Sequence, residues 1–197
     1  MKIPRLHLFK RTPASRGRFI IITGQSGAGK TSITKMIARK KNFARLVTCT
    51  TRPPRPGERD GSAYHFLSPT SFEAELARGE FFEWYSNGNI SYGSRLSDLE
   101  KLRASGRDVL ANLDIHGALK IKARWPDTLI IFVTAPIEEL RARILKRASI
   151  GDAELKRRLT RAQDELAFMK SADFVVANSE GRLAAAVRSV WRYLDSV

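Results

Sequence analysis

Residues 24–31 read Gly24-Gln25-Ser26-Gly27-Ala28-Gly29-Lys30-Thr31 and match Gly-x-x-x-x-Gly-Lys-[Ser/Thr] at every fixed position. The β-branched run at 19–23 before it is typical of a buried parallel strand, and a helical pattern follows it. Glycines let such a loop turn several backbone N–H groups towards one anion, and the helix N-terminus adds its positive dipole end. The pattern therefore predicts a loop that binds the phosphates of a nucleoside triphosphate.

Two side chains of this loop have expected roles. Lys30 is expected to reach the β- and γ-phosphates, and the Thr31 hydroxyl to hold Mg²⁺. Gly-rich turns between a strand and a helix also occur without ligands, but here strand, loop, Lys-Thr pair and helix follow one another in register. The loop by itself fits ATPases, GTPases and kinases equally well.

The charge of the chain is concentrated at one end. The net charge is +15, yet residues 1–57 contain 14 Lys or Arg and no Asp or Glu, whereas the rest has 21 basic and 20 acidic residues. Residues 1–17 are predicted to be a basic, disordered tail, and weak attachment to RNA or lipid is the alternative. The sequence has no RNA-binding motif or pattern of stacking aromatic residues to support a nucleic-acid-binding protein.

Composition restricts the class of protein further. Cys49 is the single cysteine of 197 residues, which excludes an intramolecular disulfide and a cysteine zinc site and favours a cytoplasmic location. The apolar runs are strand-sized and too short to span a membrane. We expect one α/β domain, monomeric or homodimeric, whose partners are small molecules and which needs neither nucleic acid nor a membrane.

Strand and helix patterns alternate along the chain. Strands are predicted at 19–23, 45–50, 63–66, 81–85, 109–113, 128–133 and 174–177, and helices at 31–41, 71–78, 115–124, 137–146, 152–170 and 183–194. Such alternation predicts a parallel sheet that is covered by helices on both faces. The phosphate loop would then lie at the carboxyl edge of the sheet, where ligands bind. The short elements of 48–97 predict a small mixed insertion.

A Pro-rich loop follows, and it contains Arg52 and Arg55. Two guanidinium groups in a stiff segment are costly to bring together unless an anion lies between them. Arginine binds phosphate oxygens with about 1.5–3 kcal/mol per charge-assisted hydrogen bond. The loop therefore predicts a second phosphate site, and an exposed basic loop without a ligand is the alternative.

Four further motifs follow one another along the chain: Thr-Thr-Arg-Pro-Pro-Arg-Pro-Gly-Glu at 50–58, Gly-Glu-Phe-Phe-Glu-Trp at 79–84, Tyr-Gly-Ser at 92–94 and Leu-Asp-Ile-His-Gly-Ala at 113–118. They closely resemble those of the guanylate kinase family, in order and with the family's spacing, over about residues 18–195. The first of these strings is highly specific for the family, whereas the phosphate loop is shared by many NTPases.

The resemblance implies the α/β fold of the P-loop NTPases, in three layers, with a parallel central sheet, a small mixed α/β insertion that binds the nucleoside monophosphate, and a short helical lid. It implies one domain over 18–197. Its core would be 18–47, 98–142 and 158–197, its GMP-binding insertion 48–97 and its lid 143–157. The implied reaction is ATP + GMP → ADP + GDP, with Mg²⁺.

The resemblance also implies roles for individual residues. ATP would be bound by the phosphate loop, the start of the next helix and an asparagine against the adenine, namely Gly24, Gln25, Ser26, Gly27, Ala28, Gly29, Lys30, Thr31, Ser32 and Asn178. Catalysis would rest on the loop lysine and on arginines of the lid and its flanks, namely Lys30, Arg143, Arg147 and Arg158.

The implied GMP site has three parts. Arg52, Arg55 and Tyr64 would hold the phosphate, with Tyr92 beside them. Glu83, Thr48 and Ser94 would read the guanine. Asp114 would lie near the acceptor and the metal. The complete implied set is Thr48, Arg52, Arg55, Tyr64, Glu83, Tyr92, Gly93, Ser94 and Asp114.

The sequence departs from the family pattern at a few positions. Thr48 replaces the usual Ser, Gln25 the usual Pro, Asn112 an acidic residue and His116 the usual Gln, and the lid lacks the family's glycines. Because backbone amides bind the phosphate, Gln25 is expected to matter little. Asn112 removes one negative charge near the metal.

Two other functions on the same scaffold are alternatives. A non-catalytic binding module typically loses the ATP loop, whereas Lys30 and Thr31 are intact here. A kinase with another acceptor, such as the related ribose 1,5-bisphosphokinases, is disfavoured by the retained acceptor residues Arg52, Arg55, Glu83 and Ser94.

Overall fold

The computed structural model describes residues 16–147 and 150–197. Positions 1–15 of the predicted tail and positions 148–149 of the predicted lid lie outside the described residues. Within the predicted tail, Gly17 exchanges hydrogen bonds with Arg103, donating its N–H to the carbonyl of Arg103 and accepting from the Arg103 guanidinium.

The elements alternate as the sequence predicts. The strands are β1 (Phe19–Gly24), β2 (Phe43–Arg45), β3 (Cys49–Thr50), β4 (His65–Phe66), β5 (Phe81–Asn87), β6 (Ile90–Arg95), β7 (Asp108–Asn112), β8 (Leu129–Thr134) and β9 (Phe174–Ala177). The helices are α1 (Lys30–Ile37), α2 (Pro69–Ala77), α3 (Leu96–Ala104), α4 (Ile115–Arg124), α5 (Ile137–Arg147), α6 (Asp152–Asp164), a 3-10 helix (Glu165–Ser171) and α7 (Leu183–Ser196).

The described residues divide into two compact units. The first, here called the core unit, comprises residues 19–43 and 110–197, and the second, here called the acceptor unit, comprises residues 16–18 and 44–109. Of the helices that the structure describes, none combines the length and the apolar character that crossing a bilayer requires.

The central sheet has the strand order β2-β7-β1-β8-β9 in the described part of the chain. β1 pairs with β8, and β8 with β9, in parallel register. Every residue of β1 is buried, because the two faces of the strand pack against different helices. Ile20 and Ile22 pack in one cluster with α1 and α7, and the ring of Phe19 meets Trp125 at the end of α4. The predicted covered parallel sheet is confirmed.

A smaller mixed sheet lies in the acceptor unit, with the order β4-β3-β6-β5. β3 pairs with β4 in parallel and with β6 in antiparallel fashion, and β6 also pairs with β5 in antiparallel fashion. Cys49, Phe72 and Phe81 form its apolar core. Burial raises the pKa of the Cys49 thiol to about 12. The small mixed α/β region predicted from the sequence is therefore confirmed.

Three details of the predicted elements were wrong. The predicted strand 45–50 is two strands, β2 and β3, which belong to different sheets. The strand β6 was not predicted, because Ser and Gly residues interrupt its apolar alternation. The helix α3, which follows it directly, was not predicted either. The predicted helix 152–170 changes to a 3-10 helix at Glu165, although its apolar spacing continues.

We predict that Gly24→Ala lowers the free energy of unfolding by more than about 4 kcal/mol. At φ +124° the added Cβ would overlap the carbonyl oxygen of Val133, a backbone atom that no rotamer change can move. Gly181→Ala is the control, since its φ of +69° is left-handed but no atom lies within 4 Å of the added Cβ. That control should lose about 1–2 kcal/mol. Urea unfolding measures both, and equal losses would contradict the steric argument.

Candidate functional site

The phosphate loop, residues 24–31, connects the end of β1 with the start of α1. Gly24, Gly27 and Gly29 have φ angles of 124°, 85° and 91°, which other residues rarely adopt. A Cβ on Gly29 would also overlap the amide nitrogen of Asn178. The glycines are therefore required by the path of the backbone, and that path ends at the N-terminus of a helix. This is the geometry of an anion site at a helix start.

Lys30 lies over its own loop. Its Nζ donates to the carbonyl oxygen of Gly24 at 2.6 Å and to that of Gln25 at 2.9 Å. The ammonium group is thus at the loop, within reach of any phosphate that the loop amides bind. Thr31 and Ser32 follow in the first turn of α1 and are exposed. A hydroxyl oxygen in this position fits the oxygen ligation that Mg²⁺ prefers.

Asn178 joins the loop to a predicted lid arginine. Its side-chain nitrogen donates to the backbone carbonyl of Ala28 at 2.7 Å, and its backbone carbonyl accepts from Arg143 Nη2 at 2.9 Å. Arg143 Nη2 also bonds Glu139 at 2.6 Å, while Arg143 Nη1 is buried with no hydrogen-bond partner among the described residues. A buried cationic donor that has no partner beside an anion-binding loop is suited to a phosphate oxygen.

The other predicted lid arginines have different surroundings. Arg158 on α6 is paired with Glu154 at 2.7 Å, and Glu154 also holds Arg157. Both contacts lower the pKa of the Glu154 carboxyl, with the bond from Arg158 the larger cause. Arg147 is the last residue of α5, and its side chain lies outside the described residues.

Two polar residues lie at the carboxyl end of β7 in the core unit, Asn112 as its last residue and Asp114 two positions later. Asp114 caps α4 by accepting the N–H of Gly117 at 2.8 Å. Asn112 accepts from the Thr34 hydroxyl at 2.6 Å, and Thr34 lies on α1 one turn after Lys30. An uncharged amide in place of a carboxylate therefore ties the end of β7 to the helix that begins at the phosphate loop.

The predicted phosphate group of the acceptor unit forms one cluster. Arg52 Nη2 donates to both carboxylate oxygens of Glu58, at 3.0 and 2.7 Å. The guanidinium carbon lies 5.5 Å from the centre of the Tyr64 ring, and Tyr64 meets Tyr92 edge to face at 6.1 Å. Arg52, Tyr64 and Tyr92 are thus brought together as the sequence suggested. The Arg55 side chain is exposed beside them.

Glu58 organises this cluster, although no role was predicted for it from the sequence. One of its oxygens accepts the backbone N–H of Arg55 at 2.8 Å in addition to the Arg52 guanidinium. The Arg55 N–H and then the Arg52 side chain hold the pKa of Glu58 below its usual range. The signal that could have identified it is its charge, since Glu58 is the acidic residue of a motif whose other charged residues are Arg52 and Arg55.

The predicted guanine-reading pair is also formed. Ser94 Oγ donates to Glu83 Oε1 at 2.9 Å, because the two residues lie opposite each other on β6 and β5. Ser94 is fully buried, Glu83 half-buried, and Thr48 half-buried just before β3. Glu83 is therefore a fixed carboxylate on a rigid strand.

Gly93 lies on β6 between Tyr92 and Ser94. A Cβ there would come within 3.0–3.1 Å of the rings of Phe81 and Phe72, which are stacked with centroids 4.6 Å apart. The packing of the acceptor unit therefore favours a residue without a side chain at this predicted GMP-binding position.

Comparisons with known proteins show which family the chain resembles over nearly its whole described length. The family model "Guanylate kinase" matches residues 16–196. The chain is 41% identical over 165 residues to a guanylate kinase of Thermotoga maritima, covering 83% of this chain and 80% of that protein. It is 34% identical over 186 residues to a guanylate kinase of Latilactobacillus sakei, covering 93% and 91%.

A solved structure is similar in fold. The guanylate kinase from Anaplasma phagocytophilum superposes with a TM-score of 0.73 at 23% identity, over 92% of this chain and 86% of that one.

We predict that Glu58→Gln weakens the binding of GMP about three- to tenfold, because it removes charge-assisted hydrogen bonds that order Arg52. Calorimetric titration with GMP at pH 7 measures the effect. Glu73→Gln, an exposed carboxylate on α2, is the control and should bind as the unmodified protein does.

The difference in GMP affinity between the unmodified protein and Glu58→Gln should depend on pH. Since the pKa of Glu58 is lowered, its stabilisation of the cluster is present above the ordinary glutamate pKa and is lost as the pH falls through the lowered value. Unchanged GMP affinity of Glu58→Gln at pH 7 would contradict the assigned role.

Proposed function

The chain belongs to the guanylate kinase family, and from that premise we propose that it transfers the terminal phosphoryl group of ATP to GMP. The observation that carries the proposal is the Glu83–Ser94 pair, at 2.9 Å, in the same unit as the Arg52–Tyr64–Tyr92 cluster. One group fits a guanine edge and the other a phosphate. The acceptor unit would therefore bind GMP, which accepts the phosphoryl group. The intact phosphate loop would bind ATP, which donates it.

The choice of guanine follows from hydrogen bonding. Guanine presents N–H donors at N1 and N2, and one carboxylate accepts both. Adenine presents the lone pair of its N1 at the same place, so that an acceptor would face an acceptor. A site built on such a pair discriminates by about 10⁴-fold. Glu83 is suited to this role because Ser94 fixes one of its oxygens.

The phosphate of GMP would bind at the Arg52–Tyr64–Tyr92 cluster. The acceptor atom is an oxygen of that phosphate and is already anionic, so the reaction needs no general base. It needs two charged groups in line and compensation of the charge that spreads over the transferring phosphoryl group. Arg55, exposed beside Arg52, adds a second cation on the same side.

The core unit would supply the donor side. On binding of ATP, the Lys30 ammonium would exchange the carbonyl oxygens of Gly24 and Gln25 for phosphate oxygens. Arg143 Nη1, buried without a partner among the described residues, would donate to the same phosphates. Arg158 and Arg147 would complete the positive surroundings, and Asn178 would lie at the adenine.

Mg²⁺ fits this arrangement through Thr31, whose hydroxyl is exposed in the first turn of α1. When bound together with ATP phosphates and water, the ion neutralises charge that develops on the phosphate oxygens. Asp114 would lie near the acceptor and the metal. A cytoplasmic location and a place in purine nucleotide metabolism are part of the same proposal.

A panel of acceptors tests the proposal. With ATP and Mg²⁺ we expect rapid phosphorylation of GMP, poor phosphorylation of dGMP, and almost none of AMP or UMP. Equal turnover of AMP and GMP would rule out the assigned reading of guanine. Complete inactivity with every acceptor would instead favour the non-catalytic binding module.

Glu83→Gln should lower kcat/KM for GMP about 100-fold and reduce the preference for GMP over AMP, because the amide nitrogen repels the guanine N–H groups. Steady-state kinetics with both acceptors measure this. Glu73→Gln serves again as the control on the same unit, since its carboxylate is exposed.

Lys30→Met should abolish turnover and leave the affinity for GMP almost unchanged, because Lys30 belongs to the donor side. Lys35→Met is the matched control, as Lys35 is exposed on the same helix. Kinetics and titration with GMP provide the two readings. Normal turnover of Lys30→Met would contradict its role at the phosphates.

A further inference from the structure

The side chain of Gln25 is a buried junction. It is 2% exposed, although it stands in a loop that opens to solvent at its next residues. Its oxygen accepts from the Thr134 hydroxyl at 2.6 Å and from the N–H of Ala135 at 3.2 Å. Its nitrogen donates to the carbonyl of Ala162 at 2.9 Å. Burying an amide without partners costs about 1–3 kcal/mol, so these bonds strongly favour one position of the side chain.

These partners lie on both sides of the predicted lid in the sequence. Thr134 is the last residue of β8 and Ala135 follows it, and both precede α5, whose last residues are the first residues of 143–157. Ala162 is in α6, the helix on the other side of that segment. The carboxamide of Gln25 therefore bonds residues that come before the predicted lid in the chain and a residue that comes after it.

The contact to α6 occurs where the helix changes. Carbonyl groups in the last turn of an α-helix lack their usual intrahelical donors. α6 ends at Asp164 and continues as a 3-10 helix from Glu165, and Ala162 lies in that last turn. The amide of Gln25 donates to this carbonyl from the side of the helix. The phosphate loop therefore adds one bond to the end of α6, beside the bond that the N–H of Glu165 makes to the carbonyl of Arg161.

The same residue also touches the lysine. The backbone carbonyl of Gln25 accepts from Lys30 Nζ at 2.9 Å, and its N–H donates to Val133 at 3.1 Å. On α6, Arg158 precedes Ala162 by four residues, which places both on the same face of the helix. Gln25 thereby bonds Lys30 directly and also bonds α6 one turn after Arg158, and these are two of the cations that the proposed reaction places at the ATP phosphates.

We propose that Gln25 is a positioning residue, whose carboxamide fixes the last turn of α6 to the phosphate loop and so sets Arg158 relative to Lys30. The inference rests on the proposed function for the roles of these two cations. The sequence had suggested that residue 25 matters little, because backbone amides bind phosphate. A proline at this place has neither the carboxamide nor the N–H that bonds Val133.

A double-mutant cycle tests the proposal on the full chain. Gln25→Met keeps the volume and removes all three side-chain bonds, and Arg158→Ala removes the cation that Gln25 is proposed to position. We expect Gln25→Met to lower kcat about tenfold with KM for GMP changed less than about twofold, as a misplaced group does. In the Arg158→Ala background the same substitution should change kcat by less than about twofold.

The control is Gln163→Met, an exposed glutamine next to Ala162 on α6, which should leave kcat unchanged. If Gln25→Met does not fold, Gln25→Glu replaces it. The glutamate keeps acceptors for Thr134 and Ala135 but places an oxygen against the Ala162 carbonyl. We expect it to lower kcat by a similar factor.

Two results would overturn the proposal. One is an additive cycle, in which Gln25→Met costs the same factor with and without Arg158. The other is a lower thermal midpoint with unchanged kcat, which describes a purely structural residue. If the unmodified protein makes no GDP from ATP and GMP, the proposed function fails. In that case the dissociation constant for ATP is measured for the same four proteins of the cycle. A non-additive result then supports the positioning role of Gln25.

Discussion

The close approach of β1 to β8 is the constraint on which the candidate donor site depends. At Gly24 the two strands come so near that a Cβ would overlap the Val133 carbonyl, while the register from Ile20 to Gly24 is held by five parallel pairs. The chain must turn away from the sheet at this point, because no side chain fits and φ is +124°. The phosphate loop is the result of that turn. Lys30 occupies its place because α1 begins where the loop ends.

Fixed negative partners accompany the candidate arginines of both units. Arg52 is held by Glu58, Arg143 by Glu139 and Arg158 by Glu154. Six charges in three pairs give local order without a large local excess of positive charge. Such pairs contribute little to stability where they are exposed. Their effect is to restrict the conformations of long side chains before a polyanionic ligand arrives, which lowers the entropy lost on binding.

The sequence predicted those elements whose ends carry a local signal. Helix 115–124 was predicted with its observed bounds, and its start is marked by Asp114, which caps it. The division of 45–50 between two sheets has no local signal, because the apolar run continues through the break. The last turn of α6 accepts a hydrogen bond from Gln25, which is 137 residues away from Ala162. Periodicity cannot encode a hydrogen bond of that range.

The candidate site follows the same rule. The motif predicted that Arg52, Tyr64 and Tyr92 lie together, and they do. It gave no role to Glu58 and a minor one to Gln25, since both act through bonds to residues that already had roles. The residues expected to touch a ligand were accessible to sequence reasoning, whereas the residues that hold them in place were visible only in three dimensions.

Gly93 shows what this means for interpreting variants. It stands between Tyr92 and Ser94 in a motif assigned to the ligand, but the hydrogen it carries faces the stacked rings of Phe72 and Phe81. A larger residue there would press on the interior of the acceptor unit before it met any nucleotide. In a mutational scan, inactive variants at this position would therefore group with the folding defects of Phe72 and Phe81. A motif records which residues recur together, and it does not separate contact with a ligand from support of the strand that carries the contact.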